Sequence, residues 1–145
     1  MPEVVKSVLV PYAAERMFRL VDGVERYPEF LPWCSSVDVL LKDAGSTRAT
    51  LHINYRGIKQ TFTTENIKEP PRLMTMQLVD GPFRALDGNW HFNDLDGRGC
   101  KIEFRLRYEF SNRVLAALVG PVFGYIADTM VDAFVKRAER IYGAR

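Results

Sequence analysis

Few side chains in this sequence could do acid–base or covalent chemistry, and their spacing does not bring them together. His52 and His91 are its two histidines. Each falls on the polar side of an alternating run, beside the apolar Ile53 and Trp90, so they read as solvated imidazoles rather than general bases. Asp87, Asp94 and Asp96 stand beside glycines in turn contexts, where a carboxylate's ordinary task is to accept from nearby backbone N–H groups. Cys34 and Cys100 are isolated, with no C-x-x-C spacing and no histidine neighbourhood. They read as reduced thiols in a core, and no metal site is expected. No G-x-S-x-G, H-E-x-x-H or glycine-rich phosphate loop occurs. These residues imply no enzyme, no catalytic group and no cofactor.

The chemistry that the spacing does support is apolar binding. Phe62, Met74, Met76, Trp90, Phe92, Phe104, Phe123, Met130 and Phe134 all fall on inward positions by the period of their segments. Methionine adapts to irregular shapes, and lipophile sites are mostly apolar. Such a stripe is either packed core or the wall of a pocket. Phe30, Leu31, Pro32 and Trp33 form a loop stiffened by Pro28 and Pro32. It is either the mouth of such a pocket or a plug in its open end.

The elements that position this stripe are clearest in the last third of the chain. In Lys101–Phe110, Ile102, Phe104, Leu106, Tyr108 and Phe110 share one face, and Glu103, Arg105, Arg107 and Glu109 share the other. That is the period of a half-buried strand. After Ser111-Asn112, a natural N-cap pair, the period lengthens. Leu115, Leu118, Val119, Val122, Phe123, Ile126, Met130, Phe134, Ala138 and Ile141 recur every three or four residues as far as Tyr142. The spacing predicts one helix of about 30 residues, a rod of ~45 Å. Such a rod lies across a whole sheet, and large side chains bridging the two can leave a hollow. Pro121 predicts a kink or a break into two helices. Leu115–Val122 is then either a hinged gate or a bend that follows the sheet.

Upstream, the pattern predicts a strand over Val4–Val10, a helix over Ala13–Val21 closed by Gly23, and a short second helix over Val24–Phe30. Strands follow around Val37, Val39 and Leu41, then over Thr47–Tyr55, Ile58–Ile67, Arg72–Val79 and Ala85–Asn93. Within Ile58–Ile67 the apolar parity shifts between Phe62 and Ile67, and a bulge near Thr64 is expected to account for it. Strand, two small helices, six strands and a long helix make an antiparallel meander curled around its last helix. The fold class is α+β, a helix-grip domain spanning 1–145.

Composition fits one domain of ordinary size. The chain has 145 residues, 47% hydrophobic and 12% aromatic, which suffices for a real core. Its net charge of +2, from 20 basic and 18 acidic residues, argues for neither nucleic acid nor an anionic membrane. No stretch approaches the ~18 apolar residues of a spanning helix. Met1-Pro2-Glu3 opens directly into a strand, without the charged and apolar blocks of a leader. A monomeric, cytoplasmic protein is expected.

Tyr27-Pro28-Glu29-Phe30-Leu31-Pro32-Trp33-Cys34 resembles the signature of the START-like (SRPBCC, polyketide cyclase-like) proteins. The subgroup is the one that holds the coenzyme Q-binding proteins and the ribosome association toxins. Asp80-Gly81-Pro82-Phe83, Gly88-x-Trp90-x-Phe92, Gly120-Pro121-Val122-Phe123 and Met130-Val131-Asp132-Ala133-Phe134 extend the resemblance, in order, over nearly the whole chain. It implies the helix-grip fold and one of two functions. Eukaryotic relatives bind ubiquinone and support respiration; one bacterial relative is described as blocking ribosomal subunit joining. On the first reading the apolar stripe and the Phe30–Trp33 loop hold ubiquinone or a similar isoprenoid lipid. The protein is then a carrier or chaperone, touching a membrane peripherally to exchange its ligand. On the second, it docks on the large ribosomal subunit and regulates initiation. The basic residues that docking would use are Lys136, Arg137 and Arg140 near the helix end, with Lys59, Arg105 and Arg107 on the sheet. Glu103 and Glu109 interleave with the last two, so these read as a solvated face. The carrier reading therefore stands first on the residues alone.

Overall fold

Alternating strands that bury one face must wrap something, and here they wrap the terminal helix. A computed structural model describes residues 2–143; the expected start at Met1, and the last two residues of the expected domain, lie outside the described residues. In chain order the elements are β1 (Glu3–Val10), α1 (Ala14–Asp22), a 3₁₀ helix (Val24–Glu29), β2 (Cys34–Lys42), β3 (Ser46–Tyr55), β4 (Ile58–Glu69), β5 (Leu73–Asp80), β6 (Phe83–Asp94), β7 (Cys100–Phe110) and α2 (Arg113–Tyr142). The strands form one sheet in the order β1-β7-β6-β5-β4-β3-β2, every pair antiparallel. Because β1 pairs with β7 while β2 lies at the opposite edge, α1 and the 3₁₀ helix must carry the chain from one edge of the curved sheet to the other.

The period change at Ser111-Asn112 is where the helix begins. Asn112 caps α2 by accepting from the Leu115 N–H through Oδ1 at 2.9 Å. Ile102, Phe104 and Leu106 of β7 are buried, as are Val119, Val122, Phe123, Ile126, Ala127, Val131, Phe134 and Ala138 of α2. At the far end the Tyr142 hydroxyl donates to the Arg16 carbonyl at 3.0 Å, tying α2 to α1. Pro121 does not break the helix, which runs unbroken from Arg113 to Tyr142.

Four expectations need correction. First, α2 contains an 18-residue stretch apolar enough to cross a bilayer by composition; in this fold its buried stripe covers the sheet. Second, Leu118 belongs to the helical apolar stripe, yet it is 61% exposed, together with Val114. Third, Ile141, the last residue of that stripe, is also exposed, at 47%. Fourth, the irregularity expected near Thr64 exists but does not change the parity of β4. Thr63 faces Asp80 and Thr64 faces Leu78, so the extra residue is Val79, on β5. Phe62, Thr64, Asn66 and Lys68 therefore all point inward, while Ile67 is exposed. The periodicity argument equated apolar with inward, and on β4 three polar side chains occupy the inner face.

Candidate functional site

A hollow lies where the pattern placed one, and it is small. Between sheet and helix lies a cavity of about 60 Å³. Of the expected residues, Phe62, Met76, Trp90, Phe104, Phe123 and Met130 line it. Met74, Phe92, Phe134 and Leu31 are instead packed in the core around it. Phe134 stands edge-on to Tyr27, Phe30 and Trp90, with ring centres 5.3–5.4 Å apart. Phe92 meets Phe18 edge-on at 5.6 Å and stacks with Trp90 at 5.9 Å. A volume near 60 Å³ admits a few waters at about 10–15 Å³ each. Pockets for drug-sized ligands run to ~300 Å³ and above, so a quinone ring enters only if sheet and helix separate.

One wall of this cavity is polar, which the apolar pattern did not reveal. Thr64 and Asn66 both line it. The Thr64 hydroxyl donates to Asn66 Oδ1 at 3.2 Å, and Asn66 Nδ2 reaches only the Met74 sulfur, at 3.7 Å. Thr47 lies directly across from Asn66 in the β3–β4 ladder, and its buried hydroxyl makes no hydrogen bond. One step further along β4, Lys68 has a side chain only 2% exposed, held by Asp22 at 3.0 Å. The sequence signal was available: Thr64, Asn66 and Lys68 continue the even parity of Phe62. Tyr27 closes the cavity from the 3₁₀ helix, its hydroxyl donating to the Val21 carbonyl. Burial first, then the nearby charge of Asp22, pushes that phenol well above its usual range.

The Phe30–Trp33 loop does not line this cavity; it forms one wall of a second, outer site. Leu31 and Trp33 are buried and Pro32 is exposed. Phe30, Pro32 and Trp33 face the C-terminal half of α2 across an open groove of about 510 Å³. Lys136, Arg137 and Arg140 lie in the same groove. The reading of all three as a solvated face is corrected for Arg137. Its side chain is 13% exposed, donates to Glu29 at 2.6 Å, and lies 5.0 Å above the Phe30 ring. Lys136 pairs with Asp132 at 3.0 Å, and both remain exposed.

The other chemically capable groups stay apart. His52 Nε2 is 2.6 Å from Asp38 Oδ2 on the outer face of the sheet. Neither His52 nor His91 lines the cavity. Burial pushes the Cys34 and Cys100 thiols up to about 11, so both stay protonated at neutral pH. Asp94 does more than shape its turn: it accepts from the Ala14 N–H at 2.9 Å and the Gly97 N–H at 2.6 Å. These bonds hold its carboxyl below the usual range. Among the described residues no group of three potential metal ligands occurs.

An antiparallel sheet gripping one long helix around a small interior defines the START-like class. The chain belongs to the polyketide cyclase / dehydrase and lipid transport family, whose model matches residues 10–135. It is 44% identical over 143 residues to the ribosome association toxin RatA of Vibrio cholerae, covering 99% of each chain. It is 31% identical over 142 residues to the mitochondrial coenzyme Q-binding protein COQ10 homolog B of Xenopus laevis, covering 95% of this chain and 58% of that one. Among solved structures, a START superfamily protein from Mycobacterium smegmatis superposes with a TM-score of 0.78 at 20% identity, covering 96% of this chain and 98% of that one. The Zhui aromatase/cyclase from Streptomyces superposes equally well, with a TM-score of 0.78 at 19% identity over 96% and 94% of the two chains.

Proposed function

We propose that this protein associates with ribosomal particles as a cytoplasmic regulator of subunit joining and initiation, acting by binding rather than by catalysis. The observation that carries the reading is the 44% identity, end to end, with a ribosome association toxin. The geometry supports it. The interior of about 60 Å³ is nearly filled, whereas the outer groove of about 510 Å³ is open and bordered by Lys136 and Arg140. This reverses the order that the residues alone suggested. The test is sedimentation of the purified chain with dissociated ribosomal subunits. Co-migration with the large subunit and a reduced yield of joined particles are expected. A chain that stays at the top of the gradient even at low salt removes the reading.

A second reading is favoured by the polar wall of the cavity. An interior that only had to pack would not need Asn66 facing it with an amide matched to a sulfur. A ligand with an apolar body and a carbonyl oxygen, such as a quinone, supplies the missing acceptor. Trp90 lines the cavity, so a short-tailed quinone should quench its fluorescence, and Trp90→Phe should remove most of that signal. Unchanged fluorescence and an unchanged amide spectrum at saturating quinone would sink this reading without touching the first.

A further inference from the structure

Tyr125 is the most exposed aromatic side chain among the described residues, at 43%. It does not stand alone. Its ring lies parallel to that of Tyr55, centroids 5.6 Å apart and planes 6° apart. The Arg56 guanidinium sits 5.2 Å from the Tyr55 centroid and 5.9 Å from that of Tyr125. Arg56 occupies the tip of the β3–β4 hairpin with φ of 52°, followed by Gly57 at 82°. Paired positive φ values mark a type I′ turn, whose first position strongly prefers Gly, Asn or Asp. An arginine there holds a left-handed conformation that its side chain disfavours. A strained residue carrying an exposed cation onto two stacked rings is an outlier that asks for a role.

The same ring opens the outer groove. Tyr125, Thr129, Lys136 and Arg140 follow one another along α2 on the groove's wall, over about 22 Å from first to last. The groove's carboxylates are already engaged, Glu29 by Arg137 and Asp132 by Lys136. Arg56 and Arg140 take part in no salt bridge among the described residues, one at each end of this stripe. A flat aromatic face with a guanidinium beside it, continuing into a groove where three cations face two carboxylates and Arg140 makes no salt bridge among the described residues, is an arrangement that can hold an unpaired nucleic-acid segment: bases stack on the rings and phosphates lie along the cations.

We propose that this groove binds unpaired RNA, with a base on the Tyr125–Tyr55–Arg56 stack and the following phosphates on Lys136 and Arg140. The inference rests on the ribosome reading and specifies its contact as RNA rather than ribosomal protein.

The test compares the wild-type chain with Tyr125→Leu, Arg140→Gln and Arg56→Gly. The last of these removes the cation while relieving the backbone strain, which offsets the ring contact it gives up. The probes are a mixed-sequence single-stranded RNA oligonucleotide, the same RNA as a duplex, and purified large ribosomal subunits. The wild-type chain should prefer the single strand. Tyr125→Leu should lose about tenfold or more in affinity, and each arginine variant should flatten the log–log salt dependence by about 0.7. Subunit binding should fall in parallel, with circular dichroism unchanged. Single-strand affinities that are equal across wild type and variants overturn the proposal. Subunit binding that survives in all three variants overturns it while leaving ribosome association standing. RNA binding by a wild-type chain that ignores subunits has the opposite meaning: the groove stands and the ribosome reading falls. Subunit binding without any affinity for the RNA assigns the contact to ribosomal protein and also overturns the proposal.

Discussion

Thr47 is buried to 1% exposure, and its hydroxyl is the one buried side-chain oxygen or nitrogen among the described residues without a hydrogen-bond partner. A buried, unmatched hydroxyl costs about 1–3 kcal/mol relative to a matched one, whereas an apolar isostere of the same shape carries no such cost. Thr47→Val should therefore raise stability by about 1 kcal/mol, read as a higher denaturant midpoint at unchanged slope. A destabilised variant would show that the hydroxyl is matched in solution. Asp94 makes a contrasting case, because its carboxylate is fully used. It accepts from the first N–H of α1, and the bonds that lower its pKa favour the folded state while it is ionised. That contribution is present above the ordinary carboxylate range and is lost as pH falls through the depressed folded value. Asp94→Ala should lower the melting temperature at pH 7, with the gap to wild type closing as pH drops below about 4. A gap that is constant with pH would show that the carboxylate does not cap the helix. Neither role could be read from spacing: Thr47 is buried opposite a strand neighbour 19 residues away, and Asp94 holds an N–H 80 residues away.

At the scale of elements, the sequence was most legible where one periodicity served one purpose. β7 alternates without exception and α2 begins where the period changes, so both were placed closely and their shared interior followed. β4 was misread because its inner face carries Thr64, Asn66 and Lys68. A pattern rule recovers only the side chains that are inside because they are apolar; these are inside for contacts with Asp22 and with each other. The loop Phe30–Trp33 buries Leu31 and Trp33 and turns Phe30 and Pro32 toward the outer groove, a division that the spacing of its prolines does not reveal. β6 shows a constraint of a third kind. A Cβ at Gly88 would stand 2.6 Å from the Arg105 carbonyl oxygen and 3.0 Å from Leu106 and Met76. The carbonyl belongs to the adjacent strand of the ladder and cannot move alone. Gly88→Ala should cost about 1–3 kcal/mol, in the range of overpacked cores, and should shift amide resonances in β6 and β7 first. A loss under about 0.5 kcal/mol would mean that the sheet yields there.

For the molecule as a whole, the two functional readings occupy different places, an interior of about 60 Å³ and an outer groove of about 510 Å³. They can therefore be separated within one set of variants. Ala49 is buried in the cavity wall on β3. Ala49→Val adds two methyl groups there, enough to use up much of the free space without approaching the groove. At about 0.8 kcal/mol per buried methylene, a filling that fits should raise stability by about 1 kcal/mol. Strain from an imperfect fit would offset part of that gain. If the interior takes a ligand, this variant should lose quinone-induced quenching of Trp90 while sedimenting with ribosomal subunits as the wild type does. Arg140→Gln should do the reverse. Were Ala49→Val to weaken ribosome association while remaining folded, the two sites would be coupled. Ligand in the cavity would then be acting on the groove through α2, which lines both with its side chains at Tyr125, Met130 and Lys136, or through the 3₁₀ helix, which gives Tyr27 to the cavity and Glu29 to the groove. The packing supplies a route for such coupling. Phe30 lies between Phe134 of the core and Arg137 of the groove, at 5.3 Å and 5.0 Å respectively. Any separation of sheet and helix large enough to admit a ring must move that contact, and with it the groove's wall.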